Sequence, residues 1–449
     1  MKRVRIGCGA GFADDRIEPA AELAERGGLD YLVFECLAER TVALAQLDRL
    51  RDPEAGYNEW LADRMDAVLE SCARDGVRII TNMGAANPVA AARVVAEVAR
   101  RKGIGSLRVA AVTGDDVLSA VKGSDLPLLE RDGETVASLG DTVISASAYL
   151  GAEPVIEALR QGADVVVGGR IADPSLFLAP LAHEFGWGAA DWPLLGAGTA
   201  AGHLLECAGQ ATGGYFADPG AKDVPDLARL GFPLAEVRED GFFEVTKLPG
   251  TGGRVSVGTL AEQLLYEVHD PAGYVTPDVT ADFSGARLEQ SGADRVAVTG
   301  VTGRPRPEHL KVSVGYRDSW IGEGEMSYCG PGCVARGRLA LDIVRERLAL
   351  TGLDVLESRF DLIGVDAVHR GEGTPEAGEP AEVRARVAVR TTGLAQARRA
   401  GREVTALWLN GPYGGGGAAR RAYEDIAVVS VLLPRAVVPT GVTILGTAA

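Results

Sequence analysis

The chain of 449 residues carries 46 Lys and Arg against 62 Asp and Glu, a formal net charge of -16, with 46% hydrophobic and 24% charged residues. This balance excludes a disordered chain and is a poor footprint for nucleic acid or an anionic membrane surface. No run of about 18 apolar residues suits a membrane span, and the length predicts two or three domains.

The first residues enter a strand within four positions, without the longer apolar stretch and cleavage site of a signal peptide, so none is expected. Six cysteines (Cys8, Cys36, Cys72, Cys207, Cys329 and Cys333) are too few for a disulfide framework in a chain this long. Reduced thiols and a cytoplasmic location are therefore expected. A homodimer is expected on frequency alone.

Five apolar runs open the chain: Val4–Cys8, Tyr31–Phe34, Arg78–Thr81, Arg108–Val112 and Asp164–Val167. Each ends in a small polar or glycine-rich exit, at Gly9–Arg16, Glu35–Arg40, Asn82–Pro88, Gly114–Asp116 and Gly168–Asp173, and a helical pattern follows each exit. Strands buried on both faces read as continuous apolar runs, so the pattern predicts α/β architecture: a parallel, Rossmann-like sheet with flanking helices over residues 1–217. Ligands bind outside the carboxyl ends of such strands. Helices are predicted at Ile17–Arg26, Arg40–Leu50, Asn58–Arg74, Val89–Lys102, Pro154–Gln161, Pro174–Glu184 and Gly198–Ala211. Residues 218–240, rich in Pro, Gly and charge, read as a linker or surface excursion. Beyond them, strand-like segments at Phe242–Thr246, Arg295–Thr299, Leu310–Tyr316, Leu362–Val368, Glu382–Val389, Ile426–Leu433 and Val437–Leu445 alternate with helical patterns at Leu260–Glu267 and Val334–Leu350. They predict an α+β domain with a mixed sheet over 241–449.

The exits place Glu35, Asn82, Asn87, Asp115, Asp116, Arg170 and Asp173 along one sheet edge. Capping of the following helices is the plain alternative for the Asp and Asn residues. Arg170 leaves a buried strand and needs an anion: Asp173, or a substrate carboxylate or phosphate held by its fork of donors. Asn82 and Asn87 carry amides that suit an enolate or carbonyl oxygen. On a helix, His203, Glu206, Cys207 and Gln210 share a face. That face suits packing between the two halves, or proton transfer by Glu206 or His203 with Asp115 as a second candidate. A metal is disfavoured, because His183, His269, His309 and His369 are isolated.

Gly7-Cys-Gly-Ala-Gly11 is not a dinucleotide loop, because the third position of that pattern is Asp14. Gly250–Gly253 and the run holding Gly414 and Gly415, followed by Arg420 and Arg421, offer backbone cradles for an anion such as a CoA phosphate. Cys329 and Cys333 lack the spacing of a redox pair. There is no G-x-S-x-G elbow.

Several phrases carry a resemblance. Gly9-Ala-Gly-Phe-Ala-Asp-Asp-Arg16, Thr81-Asn-Met-Gly-Ala-Ala-Asn-Pro88, Gly114-Asp-Asp116 and Ala163-Asp-Val-Val-Val-Gly-Gly-Arg-Ile-Ala-Asp173 resemble the acyclic terpene utilisation (AtuA) family. So do Gly202-His-Leu-Leu-Glu-Cys-Ala-Gly-Gln210, Gly213-Gly-Tyr-Phe-Ala-Asp218, Gly250-Thr-Gly-Gly253, Glu262-Gln-Leu-Leu-Tyr-Glu267 and Pro277-Asp-Val-Thr-Ala-Asp282. The similarity spans roughly residues 4–320. It implies a role in degrading acyclic terpenes or branched acids through CoA thioesters. Many members add a C-terminal ferredoxin-like domain with an Arg-Ser-Gly-Asp-Lys-Gly motif. That motif does not occur here, so the resemblance implies the core without that domain.

The residues and the resemblance together predict a cofactor-independent lyase, either a hydratase or a C–C lyase, on a small branched carboxylate or acyl-CoA. Glu206, His203, Asp115, Asn82 and Asn87 would do the chemistry. Arg170, Asp173, Glu35, Gln210, Gly414 and Gly415 would bind the substrate. A thioester or ester hydrolase and a non-catalytic acyl-CoA-binding or assembly partner stay open.

Overall fold

A computed structural model describes residues 2–369, 378 and 380–446. It divides into two compact units, Met1–Gly315 with Val428–Ala449, and Tyr316–Ala427.

In the first unit the five predicted apolar runs form β1 (Arg3–Ala10), β2 (Tyr31–Phe34), β3 (Arg78–Thr81), β4 (Arg108–Thr113) and β6 (Val165–Val167). They lie side by side in the order β1-β2-β3-β6-β4, and every neighbouring pair is parallel. The register sets Val33 opposite Ile80 and Ile80 opposite Val166. All three side chains are fully enclosed, as expected for strands covered on both faces. Helices α1 (Glu18–Arg26), α2 (Glu39–Arg51), α3 (Leu61–Asp75), α4 (Pro88–Arg101), α5 (Leu118–Val121), α6 (Glu153–Arg160), α7 (Asp173–Phe185) and α8 (Trp192–Glu206) fall between and after these strands. β5 (Val143–Ala148) stands outside the parallel set and pairs with the strand His309–Cys329.

Antiparallel strands widen the sheet to ten. β7 (Pro233–Arg238) pairs with β1, β8 (Phe243–Lys247) with β7, and Arg295–Thr299 and Arg287–Gly292 follow. At the other edge Gly441–Gly446 runs antiparallel to β4. The result is a mixed α/β sheet. Composition marked 218–240 as an excursion, but Leu234, Ala235 and Val237 are buried and make β7 an interior strand of the sheet. Likewise several strands placed in the second half of the chain serve the first unit. α9 (Val257–Leu265) starts at a Ser256–Thr259 capping box. Among the described residues no helix is long and apolar enough to cross a membrane.

The second unit carries the strands Val355–Ile363 and Glu382–Thr391, and parts of His309–Cys329 and Gly416–Pro434. Glu382–Thr391 is antiparallel to both Val355–Ile363 and the segment Trp320–Cys329. Helices Cys333–Leu350 and Leu394–Thr405 cover one face over a core that includes Met326, Tyr328, Val344, Leu362, Val387 and Val404.

Candidate active site

A cavity of about 1130 Å³ in the first unit is lined by residues that follow β1 (Gly11–Asp15), β2 (Glu35–Glu39), β5 (Tyr149) and β6 (Asp173), and by the end of α8. The predicted location at carboxyl ends of parallel strands therefore corresponds to a real hollow. Its wall carries eight carboxyl side chains, from Asp14, Asp15, Glu35, Glu39, Asp173, Glu206, Glu267 and Glu308, against one lysine, Lys311. Aromatic and aliphatic surface from Phe12, Leu37, Tyr215, Tyr274, Leu310 and Leu432 fills much of the rest.

Glu206 ends α8, one helical step from His203. Its Oε1 lies 2.7 Å from His203 Nδ1, while Glu206 Oε2 and His203 Nε2 have no hydrogen-bond partner among the described residues. Both side chains are buried, so burial is the main influence on each. It lowers His203 to a pKa of about 4, against a smaller upward pull from the backbone carbonyl of Leu264. It raises Glu206 well above the ordinary carboxylate range, helped by the nearby charges of Asp173 and Glu267. Phe283 stacks on the imidazole at 5.7 Å and Tyr274 tilts against it at 5.1 Å, which fixes the ring plane.

The predicted helix Gly198–Ala211 stops sooner than its composition indicates. After Glu206 the backbone tightens into a 3-10 turn, Ala208–Thr212, and Ala208 takes φ 42°. Cys207 and Gln210 thus reach the cavity from the turn rather than from the helix face. Burial, and the charge of Glu206, push the Cys207 thiol far up. A thiol so held is a poor nucleophile.

Arg170 is only 1% exposed and does not line the cavity. Its guanidinium donates to the Leu37 carbonyl and to Asp173 Oδ1, and stacks over the Tyr149 ring at 4.3 Å. Its backbone N–H donates to Asp115 Oδ2 at 2.8 Å. The cation predicted to grip a substrate carboxylate is thus committed to the protein itself, and what it presents to the cavity is Asp173. That carboxylate keeps 36% of its side-chain surface open, and desolvation by the protein around it raises its pKa against the pull of Arg170.

Asn82 is wholly buried. Its amide donates to Glu35 Oε1 at 3.0 Å and its carbonyl accepts from Cys36 N–H at 2.7 Å. Asn82 therefore shapes the exit of β2 and leaves Glu35 facing the cavity. Burial raises the Glu35 carboxyl well above its usual range, Asp173 adds to this, and Arg170 opposes it. Asn87 caps α4 by accepting from Ala90 N–H at 3.3 Å, and its amide donates to the carbonyls of Pro53 and Ala55. Asp115 is buried behind Arg170, with its carboxyl raised to about 6 mainly by burial. Asn82, Asn87 and Asp115 do not line the cavity.

The glycines of the first exit have packing reasons. A Cβ on Gly11 would sit 2.5 Å from the Cys207 backbone, and the Gly11 N–H already donates to Asp15 Oδ2 at 2.9 Å. In the Gly250–Gly253 loop the N–H groups of Gly252 and Gly253 are spent on the carbonyls of Arg229 and Pro225. Gly414 and Gly415 belong to the second unit, where Gly415 packs near Met326 and Tyr328. They are not part of this cavity. No group of three or more His, Cys, Asp or Glu among the described residues is arranged to hold a metal ion.

Sequence reasoning did not single out Glu39, Tyr149, Lys311, Tyr274 or Glu267. Tyr149 donates its hydroxyl to Glu39 Oε1, and Lys311 reaches the same oxygen at 3.2 Å. Burial works to raise Glu39, but Tyr149, backbone N–H, Arg170 and Lys311 outweigh it and hold the carboxyl at about 2. These residues come from separate elements with no shared motif, so only the fold brings them together.

Two carboxyl groups of one cavity are thus pushed in opposite directions: burial favours the neutral form of Glu206, while Tyr149, Arg170 and Lys311 favour the ionised form of Glu39. Such a split separates acid from ionised partner in enzymes that use carboxyl groups alone. In comparisons with known proteins, the model of the family described as "Acyclic terpene utilisation family protein AtuA" matches residues 4–444. No curated protein and no solved structure matches the chain.

Proposed function

The chain belongs to the acyclic terpene utilisation family AtuA, and on that premise we propose that it is a cofactor-independent lyase of the hydratase type acting on a branched, largely apolar acyl or alcohol chain. The observation that carries this reading is Glu206: a buried carboxyl group on the cavity wall, with one oxygen against His203 and the other unpaired. A carboxyl kept protonated at neutral pH is a general acid.

The wall favours positive over negative charge in the reacting molecule, since seven carboxyl groups besides Glu206, with Glu39 ionised among them, face one lysine. Acid-assisted hydration of a branched double bond, or the reverse loss of water from a tertiary alcohol, fits that field better than enolate formation. In the hydration direction Glu206 gives its proton to the less substituted carbon, and the π electron pair forms the new C–H bond. The electron-poor branched carbon takes a water oxygen. The surplus water proton passes to Asp173, and both carboxyls re-equilibrate with solvent. His203 is a positioning residue that holds Glu206 Oε1.

The same field repels phosphates, so an acyl-CoA substrate would place its acyl end here and keep its nucleotide outside. Branched unsaturated acids, their alcohols and their CoA thioesters, incubated in ¹⁸O-labelled water and read by mass spectrometry, test this. Incorporation of one oxygen with wild type, absent with Glu206→Gln, is expected.

A further inference from the structure

The second unit holds a depression of about 400 Å³ whose wall is Arg398, Arg402, Arg420 and Arg421 with Gly401 and Ala422. Four cations line it and, among the described residues, no carboxylate does, in a chain whose net charge is -16. Arg398 and Arg402 stand one helical turn apart on Leu394–Thr405 and share a face. Arg420 and Arg421 come from the strand Gly416–Pro434.

Close packing makes them converge. A Cβ on Gly322 would fall onto the Ala397 backbone, and a Cβ on Gly401 would sit 2.7 Å from the Glu323 carbonyl and 3.3 Å from Arg420 Cβ. The helix therefore lies against the sheet at backbone distance. Among the described residues, Arg421 alone of the four has an internal counterion, Glu323. The helix's own acid, Glu403, turns to Arg347 at 3.0 Å. Among the described residues no carboxylate pairs with Arg398, Arg402 or Arg420. Guanidinium groups gathered without counterions repel one another, and an anion with several oxygens relieves that repulsion through paired N–H···O contacts.

We propose that this depression is a binding site for a small ligand carrying two or more phosphate groups, either as a free polyphosphate or as the 3′,5′-phosphorylated nucleotide end of a larger molecule. It stands independently of the chemistry in the cavity of the first unit.

Calorimetric titration of the full chain at low salt with inorganic pyrophosphate, adenosine 3′,5′-bisphosphate and coenzyme A tests it. Saturable binding of at least one of them is expected, with affinity falling about 10-fold or more in Arg398→Glu/Arg402→Glu, the loss of at least one charge-assisted contact. Arg398→Gln/Arg402→Gln, a milder pair on an exposed helix face, should show a smaller loss in the same direction. Preference for pyrophosphate assigns a free polyphosphate. Preference for the bisphosphate and coenzyme A assigns the nucleotide end. Absence of binding by all three, affinity unchanged in both variants, or binding of a single-stranded oligonucleotide alone would overturn the proposal.

Discussion

Glu206 Oε1 and His203 Nδ1 stand 2.7 Å apart inside a wall that disfavours charge on either partner. Burial favours the neutral form of both partners, lowering the imidazole and raising the carboxyl. This has consequences for stability that can be measured without knowing the substrate.

The Glu206 carboxyl titrates higher in the folded protein than its ordinary value of 4.5. Below that value both folded and unfolded chains carry the proton and the shift has no effect. As pH rises above it, the unfolded chain releases its proton and gains relative to the folded one, so stability declines toward the folded pKa. Glu206→Gln removes this decline. Denaturant midpoints from pH 5 to 9 should show the variant gaining on wild type as pH rises. A gap independent of pH would mean that Glu206 is not held protonated.

His203 acts with the opposite sign. Its folded pKa of about 4 lies below the ordinary 6.5, so on acidification the unfolded chain takes up a proton that the folded chain refuses. Stability should fall between about pH 6.5 and 4, by up to roughly 3 kcal/mol at 1.36 kcal/mol per pKa unit. His203→Gln should flatten that limb of the pH profile, as followed by urea midpoints.

Arg170 contributes to the fold through Leu37, Asp173 and Tyr149. Replacing it with Met leaves Asp173 beside Glu35 and Glu206 without a buried counter-charge. The expected loss is roughly 3–5 kcal/mol. Arg170→Lys should recover only part of it, because an ammonium cannot satisfy both oxygens and stack on Tyr149. Chemical denaturation of the two variants checks both statements.

Asn82→Ala removes the partner of the Cys36 N–H and of Glu35 Oε1 while leaving the cavity wall intact. A loss of about 1–3 kcal/mol is expected for leaving those groups unpaired. If Asn82 instead met substrate directly, turnover would collapse with stability unchanged. Thermal unfolding measured beside activity separates the two.

How much of this was legible in the sequence varies with the physics involved. β2 and β3 are read to the residue because strands buried on both faces leave an uninterrupted apolar run. The tail of α8 is misread because Ala208 and Ala211 continue a helical composition, and nothing in the residues announces the positive φ of Ala208. Asn82 and Arg170 stand out as polar residues leaving buried strands. That their polar atoms are spent on Glu35 and Leu37, 47 and 133 residues away, is not written in the sequence, so a group that supports the site resembles one that meets the substrate. Glu39, Tyr149 and Lys311 illustrate the remaining limit: each is ordinary in its own segment, and only tertiary packing sets them around one carboxylate oxygen. The arginines of the second unit divide in the same way, since Arg420 and Arg421 follow a conspicuous glycine run while Arg398 and Arg402 lie on an unremarked helix.

The most direct measurement is oxygen-18 incorporation from labelled water into branched unsaturated acids, alcohols or CoA thioesters, by wild type and Glu206→Gln side by side, with folding of the variant confirmed by its denaturation midpoint. The account predicts incorporation by wild type and none by a folded Glu206→Gln. Incorporation at the wild-type rate in that variant would contradict it.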